Sequence, residues 1–383
     1  MKMLYILNTT NRVNNFSYSS MIAAKQLGVE FHIAGNWTGY SDNKEKEADE
    51  EKYGIRIHQI DFIRTPYDLR NIKAYKQLVQ LIKREKFDAI HCNTPTGGVL
   101  GRLAGKKCKV KKIIYQAHGF HFYKGAPKKN WLIYYPIEKW LAKYTDALIT
   151  INNEDYELAK SKFQLRHNGK VYYVPGVGID LSQYDLPDGI REKKRTELGL
   201  KETDIVLISS GELNENKNNQ IIIQALSKLR HESLYYIICG TGLKYDELKK
   251  MTSDNGLDDY ILFLGYRNDI KELYRASDIF VMPSLREGLS RSIMEAMASG
   301  LPCVVSNIRG NTDLLENTNS GFLCEATDVL AYTKKIKKLA NDETMRKTMG
   351  KNGLAAIQKF NMETVEIAVS KVYKSELNDI TSI

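Results

Sequence analysis

Residues 276–302 read ASDIFVMPSLREGLSRSIMEAMASGLP. An apolar run closes at Met282, a polar turn follows, and helical spacing opens after it. Strand, turn and helix in that order form the repeat unit of a parallel α/β sheet. Gly288, Leu289 and Ser290 lie at the turn, where backbone N–H groups are free and the helix dipole is positive, a cradle for a diphosphate. Glu287 and Glu295 stand on either side and can accept hydrogen bonds from sugar hydroxyls. An anion cradle with two hydroxyl acceptors suits a nucleotide-sugar. An ordinary helix, with one glutamate at its entry and another on its surface, fits the same spacing.

Working outward, short apolar runs alternate with helix-length amphipathic stretches. Strands are expected at 3–7, 29–34, 55–60, 89–92, 112–116, 147–151 and 171–174, with helices such as 69–86 and 131–143 between them. A second series is expected at 205–209, 235–239, 261–264, 279–282 and 302–306. This predicts two doubly wound α/β domains with parallel sheets, joined near VPGVGIDLSQYDLPDG (174–189), a Gly-, Pro- and Asp-rich linker and hinge. The charged segment SDNKEKEADEEK (41–52) is expected to be an exposed loop or mobile helix.

The chain has 383 residues, 43% of them hydrophobic and 27% charged, as in a globular protein large enough for two or three cores. It has no apolar run of 18 residues and no signal-peptide plan at MKMLYILNTT, so a cytoplasmic location is expected. The five cysteines are scattered without a C-x-x-C pair, which points to reduced thiols; Cys92, Cys239 and Cys303 sit in strand-like runs and are expected in the core.

The net charge of +10 is uneven. Residues 1–180 hold 29 Lys and Arg against 17 Asp and Glu, while the remainder is slightly acidic. Residues 102–143 alone carry eleven basic residues and one acid, Glu138, interleaved with Tyr115, Phe120, Phe122, Tyr123, Trp131, Tyr134, Tyr135 and Trp140. Cations mixed with Trp and Tyr suit an anionic membrane surface. The mixture also suits stacking on single-stranded nucleic acid, or a solvated basic face; the expectation taken is a membrane surface and no nucleic acid.

The run 276–302 resembles the donor-site signature of family 4 of the retaining glycosyltransferases. SNIRGNTDLL (306–315) and QAHGFHFYKGAPKKNWLIYYPIEKWLAKYTDALITINNEDYELAK (116–160) are similar to its bacterial capsule and exopolysaccharide branch. The resemblance covers roughly residues 85–378. It implies a GT-B fold: two Rossmann-like domains facing across a cleft, with the C-terminal helix crossing back. The domains expected are 1–180 for the acceptor and membrane surface, 181–362 for the nucleotide-sugar donor, and 363–383 for the returning helix.

Residue by residue, the resemblance implies that Glu295 holds the ribose hydroxyls and Glu287 a hydroxyl of the donor sugar. The amides of Leu289 and Ser290 hold the distal phosphate, with Gly288 beside them as a further donor-binding residue. Lys217, in GELNENKN, neutralises the leaving diphosphate, and Gly211 lets the backbone pass close to it. His118, in QAHGFH, stands on the acceptor side of the reacting carbon, with His121, Tyr123, Lys124 and Arg12 as further acceptor or lipid-side contacts. The implied catalytic set is His118, Lys217 and Glu287.

Three departures stand out. Glu212 replaces the arginine usual beside the diphosphate and must turn away or pair with a cation such as Lys217. Asn8-Thr9-Thr10-Asn11-Arg12 replaces the glycine-rich acceptor loop, and Asp313 stands where relatives have glutamate. No D-x-D motif occurs, so no metal and no cofactor are expected beyond a UDP-sugar co-substrate. The expected activity transfers an N-acetylhexosamine or related deoxysugar, with retention, to a lipid-diphosphate-linked saccharide on the inner face of the cell membrane. A nucleotide-sugar 2-epimerase of the same fold, or a non-catalytic basic membrane-binding module, remains the alternative.

Overall fold

A computed structural model describes residues 1–229 and 233–381; the last two positions of the expected returning helix, 382 and 383, lie outside the described residues. The chain forms two compact units, Met1–Gly178 with Met362–Ile383, and Ile179–Asn361.

The first unit runs β1 (Lys2–Thr10), α1 (Asn15–Gln26), β2 (Glu30–Trp37), α2 (Asn43–Tyr53), β3 (Arg56–Gln59), α3 (Asn71–Glu85), β4 (Ala89–Asn93), α4 (Pro95–Lys107), β5 (Lys112–Ala117), α5 (Lys128–Ala142), β6 (Ala147–Thr150), α6 (Asn153–Lys162) and β7 (Lys170–Tyr173). Its seven strands are parallel in the order β3-β2-β1-β4-β5-β6-β7. Strand order reverses between β1 and β4, the position where doubly wound sheets open a crevice beyond their carboxyl ends. Alternate residues of β1 explain both covers. Leu4 and Ile6 enter the core beneath α3 and α4, whereas Met3, Tyr5 and Leu7 enter the core of the opposite face.

The second unit runs α7 (Ile190–Glu197), β8 (Ile205–Ser210), α8 (Gln220–Leu229), β9 (Leu234–Cys239), α9 (Tyr245–Asp254), β10 (Ile261–Gly265), α10 (Ile270–Ala276), β11 (Ile279–Met282), α11 (Arg291–Ala298), β12 (Cys303–Ser306), α12 (Asn311–Leu315), β13 (Gly321–Cys324), α13 (Val329–Ala340) and α14 (Glu343–Ala356). Its sheet, also parallel, has the order β10-β9-β8-β11-β12-β13 and reverses between β8 and β11.

The last helix, α15 (Met362–Thr381), belongs to the first unit. Val365, Val369, Val372, Tyr373 and Leu377 form one buried stripe against β1, α1 and β4. Tyr373 OH meets the buried His91 Nδ1 at 2.6 Å, and Glu376 accepts from Tyr172 OH at 2.6 Å and pairs with Lys112 at 3.2 Å. Where the chain leaves the first unit and re-enters it, Gly178 takes φ +81°, and a Cβ there would lie 2.7 Å from Met362 Cα. Only glycine fits that crossing.

Several boundaries differ from the expected ones for local reasons. The segment 41–52 becomes α2, capped by Asp42 and closed by Gly54 at φ +66°, with no buried side chain. Helix α3 begins at Asn71 rather than 69, because that side chain accepts from Ile63 N and donates to Thr65 O. Helix α5 starts at Lys128, directly after Pro127, three residues before the expected start. The edge strand β13, four residues after an Asn-rich turn, was not expected at all. Cys92, Cys239 and Cys303 are buried as expected, and Cys324 joins them.

Candidate functional site

In the second unit the site forms at the switch point, where β8 and β11 end side by side. Beyond β8 the loop GELNENKN is braced by its asparagines. Asn218, at φ +57°, donates to Pro283 O at 3.0 Å and Ala326 O at 2.8 Å; Asn219 donates to Ser209 Oγ and Tyr236 OH. Beyond β11 the turn 283–290 is zipped to that loop, since Leu285 N donates to Asn216 O and Asn216 Nδ2 donates to Arg286 O.

This bracing brings Lys217 Nζ to 2.7 Å from Glu287 Oε1, in a pair whose side chains are 20% and 14% exposed. Gly211, at φ +144°, lies under the lysine: a Cβ would stand 3.1 Å from Lys217 Cε. Lys217, Gly211, Ser210, Asn219 and Met282 line one small pocket at the strand ends. Ser290 caps α11 through its hydroxyl. Among the described residues no protein acceptor takes the N–H of Leu289 or Ser290. A paired cation and carboxylate, and two amides without a protein acceptor among the described residues, therefore lie in the loops beyond the ends of β8 and β11.

The run RGNTD supports this corner from behind. Arg309 Nε donates to Glu287 O at 3.2 Å, and Gly310 packs so closely that a Cβ would meet Gly288 O at 2.3 Å. Asp313 accepts from Gly310 N, so its carboxylate holds the turn. Glu212 is exposed, and the partner of Lys217 is Glu287 rather than Glu212.

Glu295 lies farther along α11 and has separate company. Its oxygens receive Arg291 Nε at 2.9 Å and Tyr274 OH at 3.4 Å. Burial, then the nearby Glu295 charge, pushes the Tyr274 hydroxyl well above its ordinary range, so it stays a donor. Tyr184 faces the same carboxylate and is raised for the same reasons. Neither tyrosine was legible in sequence, because Tyr274 reads as an ordinary core aromatic and Tyr184 falls in the expected linker.

In the first unit His118 follows β5, half-buried, with Nε2 3.1 Å from Asn93 Oδ1 at the end of β4. The Phe16 ring meets it edge-on at 5.5 Å. Asn93 Nδ2 points at Ile6 O, which leaves its oxygen for the histidine. The network thus assigns the proton to Nε2 and the lone pair to Nδ1. Burial lowers the His118 pKa to about 4, so the ring is neutral at pH 7.

The other acceptor-side residues are spread out. His121 lies against Tyr134, 4.7 Å between ring centroids, and its carbonyl accepts from Asn130. Tyr123 O accepts from Trp131 Nε1, and Lys124 N donates to Glu154. Arg12 is drawn to α2, where it meets Glu45 at 3.3 Å and Asp49 at 3.6 Å, and it lies over the Tyr40 ring just before that helix. The basic segment 102–143 is also not all surface. Arg102 is fully buried, paired with Glu138 at 2.8 Å and stacked on Tyr115. No helix among the described residues is long and apolar enough to cross a membrane.

Comparison with known proteins decides the family. Residues 190–355 match the family described as glycosyl transferases group 1, and residues 23–152 match glycosyl transferase 4-like. A Bacillus subtilis protein described as a glycosyltransferase, EpsD, is 34% identical over 359 residues, 92% of this chain and 91% of its own length. The chain belongs to the family 4 glycosyltransferases. The glycosyltransferase is also 33% identical, over 74% of each chain, to the UDP-Gal:α-D-GlcNAc-diphosphoundecaprenol α-1,3-galactosyltransferase of Escherichia coli. Its fold matches Anabaena Alr3699/HepE, crystallised with UDP, at a TM-score of 0.78 and 21% identity, over 98% of this chain and all of that one. The GT-B architecture follows: two Rossmann-like units with parallel sheets.

Proposed function

We propose that this glycosyltransferase moves an N-acetylhexosamine or related deoxysugar from a UDP-sugar to a lipid-diphosphate-linked saccharide, in the synthesis of capsule, exopolysaccharide or a similar surface glycan. The observation that carries the reading is the Lys217–Glu287 pair in the turn that leads into α11, where the N–H groups of Leu289 and Ser290 have no protein acceptor among the described residues. A diphosphate entering that corner meets a cation and the positive end of a helix, while Glu287 is released to a sugar hydroxyl. On this reading Glu295 accepts from the ribose hydroxyls. The E. coli relative's name, which gives a UDP-sugar donor and a diphosphoundecaprenol-linked acceptor, supports the two substrate classes.

On this reading the reaction proceeds on one face of the sugar, with retention and without a metal ion. The acceptor hydroxyl oxygen bonds to the anomeric carbon as the bond from that carbon to the phosphate oxygen breaks. The hydroxyl proton passes to the departing phosphate. Lys217 and the amides of Leu289 and Ser290 stabilise the charge growing on that phosphate, and His118, neutral, offers Nδ1 to a substrate hydroxyl. The enzyme works peripherally on the inner face of the membrane, where Leu132, Ile133 and Trp140 stand exposed on α5 among Lys128, Lys129, Lys139 and Lys143.

The test is transfer of labelled sugar from UDP-sugars to a lipid-diphosphate-linked N-acetylhexosamine. Product that needs both substrates supports the reading. A free rearranged sugar released without acceptor would assign an epimerase instead.

A further inference from the structure

Two exposed apolar segments of the first unit lie next to each other. One is the outward face of α5, where Leu132 is 77% and Ile133 and Trp140 are each 47% exposed. The other is the loop 64–70 with the first turn of α3, which presents Tyr67, Leu69 at 79% and Ile72 at 55%. The Tyr67 ring reaches Tyr134 of α5, 6.5 Å between centroids, so the segments share one surface. In a parallel α/β unit, helix N-termini lie at the carboxyl ends of the strands. Residues 67–72 and 128–133 therefore sit at the end of the unit where His118 follows β5.

The loop is held in shape. Asn71 ties it to Ile63 and Thr65, and Thr96 Oγ1 donates to Arg64 O at 3.2 Å. Its bare apolar side chains are thus presented on an ordered scaffold, an exposure that marks an interaction surface. The charge around it is net positive. Residues 61–76 and 124–143 hold nine lysines and arginines and three carboxylates. Each carboxylate is already taken: Asp61 by Lys73, Asp68 by Arg70 and Glu138 by Arg102. Apolar tips ringed by cations fit phospholipid headgroups over acyl chains.

We propose that the loop 64–70 with the first turn of α3 forms, together with α5, a two-part wedge that inserts into an anionic phospholipid leaflet. This rests on the membrane-surface reading above and adds an element outside the basic segment 102–143. Tyr67, Leu69 and Ile72 enter the leaflet beside Leu132 and Ile133, and Arg64, Lys76, Lys128 and Lys129 meet its phosphates. The loop before α5 that carries His118 is thereby held at the lipid plane.

The experiment is flotation of the full chain with vesicles of phosphatidylcholine alone or mixed with phosphatidylglycerol, at low and high salt. Wild type is compared with Leu69→Ser/Ile72→Ser and with Leu132→Ser/Ile133→Ser. Circular dichroism and gel filtration check folding and association. The wedge predicts binding to the anionic vesicles that weakens with salt, and a loss of roughly tenfold or more in each double variant. A loop variant that floats like wild type while the α5 variant does not overturns the wedge and leaves the membrane reading standing. Wild type that floats with neither vesicle overturns both. Dimeric wild type with a monomeric loop variant assigns the surface to a second copy and also overturns the wedge.

Discussion

Lys217 and Glu287 are each other's partners, 2.7 Å apart, though they come from loops after different strands, β8 and β11. Half-buried and braced by three asparagines, the pair is a cation held ready rather than a surface ion pair. Under the proposed function a donor diphosphate would compete with Glu287 for the lysine, which would couple phosphate binding to release of the carboxylate. Lys217→Ala is expected to lower kcat by about 10²–10³-fold, the scale for losing one group that stabilises developing negative charge. Steady-state kinetics with saturating acceptor reads it. An unchanged kcat contradicts the assignment.

Glu287→Gln should act differently from the lysine variant. It keeps the shape and frees the cation, so affinity for UDP itself should hold or rise while sugar transfer falls. Titration calorimetry with UDP and with a UDP-sugar separates the two effects. Equal weakening of both ligands would place Glu287 on the phosphate side.

Asn93 fixes which nitrogen of His118 carries the proton. Asn93→Ala should lower kcat roughly 10–100-fold, as for loss of a group that orients a ligating or catalytic histidine. Asn93→Asp places a carboxylate on Nε2 and favours the imidazolium, which raises the His118 pKa and moves the acidic limb of the rate profile upward. A pH–rate profile identical to wild type in the aspartate variant sinks this role.

Three histidines are held neutral by burial: His58 and His118 at about 4 and His91 at about 3. Each has a folded pKa below the unfolded value near 6.5, so the unfolded chain binds more protons between the two. Their stabilisation is complete above about pH 6.5 and is lost as pH falls toward 4. The melting temperature should therefore drop through that window. A melting temperature flat from about pH 7 to 4.5 would contradict the burial of these rings.

Tyr373→Phe leaves His91 with no partner at Nδ1, and its Nε2 is already without one. The expected cost is about 1–3 kcal/mol, read as a lower melting temperature with UDP binding by the second unit unaffected. Loss of UDP binding together with stability would mean that the last helix does more than complete the first core.

The sequence made the two parallel α/β series legible because buried strands such as 279–282 are continuous apolar runs, and Gly and Asp punctuate the turns. Glu287 stood out from its place at the turn, Gly211 and Lys217 only through the resemblance to a family; the structure adds that Lys217 and Glu287 touch. Spacing alone could not show that the carboxylate seventy residues on from Lys217 is its partner, nor that Glu212 points to solvent. Asn93, Phe16, Tyr184 and Tyr274 left no signal, because a polar residue closing a strand and single aromatics in helices and linkers are ordinary there. Arg12 reads as a free phosphate ligand until α2, itself a charged run without a buried face, folds over and supplies Glu45 and Asp49.

The most direct test of the donor site is the melting temperature with and without UDP, for wild type, Lys217→Ala and Glu295→Ala. Wild type should gain about 2.7 kcal/mol of stability at a UDP concentration of a hundred times Kd, and both variants should lose most of that gain. No shift in wild type, or the same shift in all three proteins, would contradict a nucleotide-sugar site at the ends of β8 and β11.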